Sequence, residues 1–283
     1  SSAASDVYKR QVVGDPGRDK SEALLLSLGR LIDSLGGRYI AATDVGITVD
    51  DLVVLRRATR HVASLPVEMG GSGDSAPLTA VGVAHAIRAA LERVFGSGDF
   101  SGRTFAIQGL GKVGLRLARL LVEGGGRVLG ADLVPERAER AARELGVEVV
   151  PPEEVLFLEC DVLSPCALGG VLNSETIPKL RCKIVCGAAN NQLADEAEDA
   201  RRLAEAGIVY VPDFVANAGG IINISVEFEP GGYREERALE KTATIYENTK
   251  RVLEMADREG ITTYEAALRL ARERLERAKK ERG

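Results

Sequence analysis

The 283 residues include 45% hydrophobic side chains and carry a formal net charge of −5, enough apolar mass to bury the core of one large or two ordinary domains. Lys, Arg, Asp and Glu are interspersed, so no basic face is offered to nucleic acid or to an anionic membrane, and neither is expected as a partner. No apolar run approaches the roughly 18 residues of a membrane span, and Ser1 to Gln11 lacks the apolar stretch of a secretory signal, which makes a cytoplasmic location the expectation.

Along the chain, Asp19 and Glu22 stand at capping-box spacing. Leu24, Leu25, Leu28, Leu31, Ile32 and Leu35 follow at helical intervals until Gly36-Gly37, which predicts an amphipathic helix. Residues 38–44 read as a short strand ending on the carboxylate of Asp44, and 49–60 returns to a helix-like pattern. Met69 to Pro77 is dense in turn formers and reads as a boundary between domains; Leu78 to Phe95 has the composition of a long helix. From Arg103 strands alternate with helices, the pattern of a parallel sheet. The expected strands are 104–108, 127–131, 160–163, 183–186 and 208–211, with a helix over 115–123 stopped by Gly124-Gly125-Gly126. Thr262 and Glu265 form a second capping box, opening a charged amphipathic helix that runs to Lys280.

The four cysteines, Cys160, Cys166, Cys182 and Cys186, make no paired C-x-x-C motifs. With only His61 and His85 to help them, no metal site is expected, and they read as small buried hydrophobes.

Gly109-Leu110-Gly111-Lys112-Val113-Gly114 directly follows an apolar strand and opens a helix, the setting in which a G-x-G-x-x-G run binds a dinucleotide. Gly109 allows the tight turn, Gly111 lets the backbone approach a pyrophosphate, and Gly114 brings helix and strand close together. Asp132 lies at the end of the next strand, about 20 residues further on, placed to accept from the adenosine ribose hydroxyls; a 2′-phosphate would meet a like charge. Arg137 and Arg140 argue for NADP, but they stand a turn or more into the following segment. The expected cofactor is NAD.

Six further segments carry a resemblance: 13–20, 37–46, 71–74, 165–170, 187–192 and 212–220. With the dinucleotide turn, they make the chain resemble the glutamate/leucine/phenylalanine/valine group of amino acid dehydrogenases, most closely the leucine branch, from about Val12 to the C-terminal helix. The resemblance implies an α/β fold: a Rossmann doubly wound parallel sheet over 71–258, a truncated α/β substrate (dimerisation) domain over 12–70, and a C-terminal helix, 259–283, packing back on the substrate domain. It implies a homo-oligomer. It also implies NAD-dependent, reversible oxidation of an L-amino acid to a 2-oxo acid and ammonia.

By the same resemblance Asp44 is the catalytic aspartate, handling protons with a lysine, a role a carboxylate partnered by a cation can fill. Thr79 bonds the nicotinamide carboxamide, although by itself it reads only as an N-cap. Cys166 and Ala167 belong to the loop beside the cofactor. Asn191 and Asn217 lie near substrate and nicotinamide, where turn formation is the plainer reading of both. Ile221 and Ile224 line the specificity pocket. Their apolar bulk disfavours a glutamate side chain and favours leucine, isoleucine or valine over phenylalanine, at about 1 to 3 kcal/mol per methylene-sized difference.

The chain departs from the family in two places. Two catalytic lysines in a glycine-rich segment should precede the match to Val12; Ser1 to Gln11 resembles nothing in the family, and neither Lys9 nor Lys20 occupies that lysine motif. The expectation is an N-terminally incomplete chain with an unrelated leader over 1–11, binding NAD but catalysing poorly; the alternative is a non-catalytic NAD-binding protein. In addition, Asp74-Ser75-Ala76-Pro77 replaces the usual Pro-Ser-Pro pattern. A dehydrogenase of 2-hydroxy acids would want a catalytic histidine, and neither His61 nor His85 stands in a suggestive motif.

Overall fold

The structure, a computed structural model, describes residues 12–44 and 46–282. The leader expected over 1–11, with Lys9, lies outside the described residues. The chain divides into two compact units, one formed by the residues up to Ser75 together with Ile221–Leu239, the other by Ala76–Gly220 and the chain from Glu240 on.

In the first unit, helix α1 (Glu22–Ser34) and helix α2 (Val49–Arg56) pack around Leu25, Ile32, Leu52, Leu55, Val62 and Leu65. Gly29 permits the close approach, since a Cβ there would stand 2.7 Å from Ala58 Cβ. The N-cap of α1 is Ser21, whose hydroxyl accepts from Leu24 N–H. Asp19, expected in that role, instead accepts from Asp15 N–H at 2.8 Å. The strand expected over 38–44 is not formed: Ala41 makes one isolated bridge to Val62, and Asp44 another to Ile47. With a single bridged residue on each side there is no ladder to extend.

Residues 221–239 are stitched into this unit by side chains. Glu227 accepts from the Ser64 and Ser72 amides, both at 2.8 Å, and Asn223 donates to Ser72 O while accepting from Tyr233 Oη. The sequence pattern carries the Rossmann domain from 71 to 258, whereas the compact units part at Ser75/Ala76 and transfer Ile221–Leu239 to the first.

The second unit is built on six parallel strands: β1 (Thr104–Gln108), β2 (Arg127–Ala131), β3 (Glu148–Val149), β4 (Glu159–Pro165), β5 (Arg181–Val185) and β6 (Val209–Tyr210). Their order is β3-β2-β1-β4-β5-β6, the doubly wound arrangement whose switch point lies between β1 and β4. Phe105, Ala106 and Ile107 are fully buried, as central strands covered on both faces require. The connecting helices are α3 (Ala76–Phe95), α4 (Lys112–Glu123), α5 (Pro135–Leu145) and α6 (Glu196–Glu205). After β6 come α7 (Asp213–Ala216), α8 (Gly219–Val226), α9 (Glu235–Glu259) and α10 (Thr263–Arg282). The unit boundaries fall inside α8 and α9.

The Thr262–Glu265 capping box is present. The start of α10 packs inside the second unit: Thr263 Oγ1 donates to Tyr210 O at 2.6 Å, Tyr264 Oη donates to Glu196, and Ala266 and Ala267 join Val252, Met255 and Ala256. Cys160, Cys182 and Cys186 are buried and unbridged.

Candidate active site

Every cofactor-side residue named from the sequence lies in the second unit, and most stand at the carboxyl ends of its strands. β1 runs into Gly109, whose amide donates to Ala131 O at 2.8 Å and whose φ of +94° is the left-handed region that only glycine enters without strain. A Cβ on Gly114 would stand 1.9 Å from Gly109 O, and one on Gly109 would stand 2.9 Å from Ala167 Cβ. Both glycines are thus demanded by the protein's own packing. Gly111 is different: a Cβ there would meet only Arg137 Nη1, at 3.9 Å. Nothing in the fold requires the missing side chain, so this open side of the backbone fits an external group, as a pyrophosphate cradle does. Leu110 is buried beneath the turn, while Lys112 and Val113 begin α4, which has no capping side chain at Gly111 to engage its first amides.

Asp132 closes the same turn. One carboxylate oxygen accepts from Leu110 N–H and the other from Val134 N–H, each at 2.8 Å. A carboxylate has about four acceptor sites, so each oxygen keeps capacity for a hydroxyl donor. The arginines behave unequally. Arg140 is tied to Glu144 at 2.8 Å, but Arg137 turns back to within 3.6 Å of Asp132, so the expectation that both stand off by a turn holds only for Arg140. Arg137 is the third residue of α5, and its long side chain spans the distance that helix position alone suggests it cannot.

Cys166 N–H donates to Gln108 O at 2.7 Å, laying the Cys166-Ala167 segment across the glycine turn. Desolvation pushes the Cys166 thiol up to about 12, which suits a packing residue and not a nucleophile. Next to it Gly170 N–H donates to Asn191 O, and Asn191 holds φ at +52°, a conformation Asn tolerates better than most residues. Asn217 caps α7 at its C-terminal end and donates from Nδ2 to Asn190 Oδ1 at 2.7 Å and to Ala188 O at 3.2 Å. Gly219 then comes so near α3 that a Cβ would stand 2.0 Å from Leu78 O and 3.0 Å from Thr79 N. Thr79, Asn191 and Asn217 are therefore gathered around one cluster of loops. Thr79 is the fourth residue of α3, which starts at Ala76, so it is not the N-cap.

One residue of this cluster has no role in the sequence reading. Asp213 accepts the Asn191 amide and so fixes that left-handed residue. Burial pushes the Asp213 carboxyl above the usual range, the Asn191 and Phe214 amides pull it back, and Glu196 raises it. Its signal in the sequence is a Pro-Asp pair opening a helix after a strand, which reads as ordinary capping chemistry.

The remaining residues belong to the first unit. Asp44 is exposed and its carbonyl accepts from Ile47 N–H at 3.0 Å. The turn is pinned by Lys20, whose ammonium donates to Gly46 O at 3.2 Å and to Asp51 at 2.6 Å. Asp51 also completes a capping box with Thr48. Burial opposes the Asp51 charge, but the Lys20 and Thr48 bonds outweigh it and hold the carboxyl below the usual range. Ile221 and Ile224 lie one turn apart on α8, with Ile221 67% exposed. Among the described residues, no cluster of His, Cys, Asp and Glu is placed to hold a metal ion.

A parallel sheet in 3-2-1-4-5-6 order with an open glycine turn at its switch point narrows the fold but not the chemistry. The glutamate/leucine/phenylalanine/valine dehydrogenase pattern matches residues 70–132 and 135–283. The chain belongs to that family. Leucine dehydrogenase of Thermoactinomyces intermedius is 44% identical over 274 residues, 97% of this chain and 74% of that protein. Phenylalanine dehydrogenase of Lysinibacillus sphaericus is 41% identical over 283 aligned positions, 97% of this chain and 74% of that protein. The crystal structure of L-tryptophan dehydrogenase from Nostoc punctiforme superimposes with a TM-score of 0.79 at 41% identity, covering 95% of this chain and 76% of that one. Family membership thus agrees with the Rossmann architecture, and these members are amino acid dehydrogenases.

Proposed function

We propose that this chain is an NAD-dependent amino acid dehydrogenase that reversibly converts an aliphatic, branched-chain L-amino acid to its 2-oxo acid and ammonia. The observation that carries the cofactor part is the pairing of Gly111, open on the side where a Cβ would project, with Asp132 at the end of β2. That the substrate is an amino acid is supported by the leucine, phenylalanine and tryptophan dehydrogenases to which the chain is similar, and the aliphatic side chain by the apolar bulk of Ile221 and Ile224.

Bound NAD would accept the hydride from the substrate Cα. The chain supplies the rest: position, exclusion of water and proton handling. The glycine turn from Gly109 to Gly114, with Leu110, Lys112 and Val113, holds the pyrophosphate, and Asp132 takes the ribose hydroxyls and repels a 2′-phosphate. Thr79, Asn191 and Asn217 orient the carboxamide and the substrate, with Cys166 and Ala167 packing beside them. Asp44 accepts a proton from the water that attacks the imino carbon and returns one to the departing amine. Ile221 and Ile224 line the side-chain pocket, where the side-chain carboxylate of glutamate would be buried without a partner. The first unit acts as part of the substrate domain, and the working form is a homo-oligomer.

The test is reduction of NAD by the purified chain with a panel of L-amino acids and 2-hydroxy acids. Turnover with leucine, isoleucine or valine above phenylalanine, and none with glutamate, is the expected order. Turnover of 2-hydroxy acids alone would overturn the reaction class, and dinucleotide binding without turnover of any amino acid would overturn catalysis. Asp132→Ala should weaken NAD binding by about tenfold and narrow the NAD/NADP preference; an unaltered ratio would remove Asp132 from cofactor choice.

A further inference from the structure

Three arginines follow Asp132 on α5, and the first two, Arg137 and Arg140, are held differently. Arg140 donates from Nε to Glu144 at 2.8 Å, and Arg119 reaches the same carboxylate at 3.5 Å, so Arg140 is engaged on the helix surface. Arg137 instead leans over the glycine turn. Its Nη1 stands 3.6 Å from Asp132 Oδ1 and 3.9 Å from the point where a Cβ on Gly111 would be, and it is the one atom found within 4 Å of that point outside Gly111 and its chain neighbours among the described residues. A separation of 3.6 Å is an ion-pair contact and not a hydrogen bond. Meanwhile the Asp132 oxygens are aimed at the Leu110 and Val134 amides. The Arg137 side chain is 55% exposed and its stem is flexible, so it can re-aim its N–H groups at an arriving group for little cost.

The two places that Arg137 borders are the two that the dinucleotide reading assigns to the cofactor: the open backbone at Gly111 for the pyrophosphate and the carboxylate at Asp132 for the adenosine ribose. We infer that Arg137 is a cofactor-contacting residue that sets the NAD-to-NADP ratio, holding it lower than Asp132 alone would. The inference rests on the dinucleotide reading proposed above. Asp132 by itself presents one negative charge to a 2′-phosphate; with Arg137 beside it, the local charge sums to about zero. The planar guanidinium fork also matches a phosphate's oxygens in a way the hydroxyls of NAD do not exploit. The chain therefore binds NAD by preference and NADP measurably.

The measurement is titration of the whole chain with NADH and with NADPH, followed by dinucleotide fluorescence, which needs no turnover. Arg137→Met should lower NADPH affinity by about tenfold and NADH affinity by less than about threefold, widening the ratio, as loss of a charge-assisted contact to one ligand implies. Arg137→Lys, which keeps the charge but not the fork, should fall between. Arg140→Met should change neither affinity. Since both arginines lie on the surface of α5, thermal unfolding should be unaltered in all three variants. If Arg137→Met weakens both dinucleotides equally, or leaves the ratio where it was, the inference is wrong while the dinucleotide reading stands. If the unsubstituted chain binds neither dinucleotide, the reading itself fails and takes the inference with it.

Discussion

From Phe105 to Asp132 the backbone path follows residue by residue from local chemistry, whereas the stretch around Asp44 depends on partners distant in sequence. In the first region the positive φ of Gly109 and the 1.9 Å approach at Gly114 leave no alternative to glycine, so motif and geometry are one statement. Around Asp44 there is no ladder and no motif glycine against a strand. The turn keeps its shape through Lys20, 26 residues before Gly46 and 31 before Asp51. A glycine turn of the dinucleotide-binding type can therefore be read from a short window, while the catalytic role proposed for Asp44, on an irregular segment, rests on resemblance to relatives.

The sharpest way to separate the two regions is Asp44→Asn. Turnover should fall by about 10² to 10⁴, the usual contribution of a positioned acid or base, with NADH binding unchanged; a loss of NADH binding would merge the two regions. Next come the glycines. Gly111→Ala should leave the melting temperature alone and cut NADH affinity by about tenfold or more, because its Cβ meets almost nothing in the protein. Gly114→Ala should instead destabilise the chain by about 1 to 3 kcal/mol through overpacking against the Gly109 carbonyl. If the two alanines behave alike, Gly111 is structural after all.

The smallest effect concerns Asp213, whose carboxyl titrates above the ordinary aspartate range chiefly because it is buried, with Glu196 adding to the shift. A carboxyl raised in the folded state favours folding most at low pH, and that advantage is lost as pH rises through its folded value. The stability of the unsubstituted chain relative to Asp213→Asn should accordingly increase, on the order of 1 kcal/mol, as pH falls towards 3.8, the ordinary aspartate value. The same variant should slow turnover by loosening the Asn191 amide, more than it changes KM. A pH-independent stability difference would contradict the burial argument.

Much of the second unit was legible because parallel strands covered on both faces leave continuous apolar runs: β1 and β2 fall at the expected residues, and β4, β5 and β6 within about two, the usual uncertainty of strand ends. The two-residue β3 carries no such run and was not foreseen. Residues 38–44 alternate like a strand yet find one bridged partner, since periodicity reports a face and not a neighbour. The assignment of Ile221–Leu239 to the first unit comes from Glu227 bonding Ser64 and Ser72, across more than 150 positions, which no local pattern encodes. Arg137 and Asp213 lie beyond a local pattern for the same reason: each is defined by where its side chain ends, not by its place in a helix.

The proposed function turns on one step, the passage of hydride from the Cα of an amino acid to NAD. Incubating the chain with NAD and leucine deuterated at Cα, then weighing the reduced dinucleotide, tests it directly. The account predicts reduced dinucleotide carrying the deuterium. Reduced dinucleotide without it, or reduction only with a Cα-deuterated 2-hydroxy acid, would contradict the account.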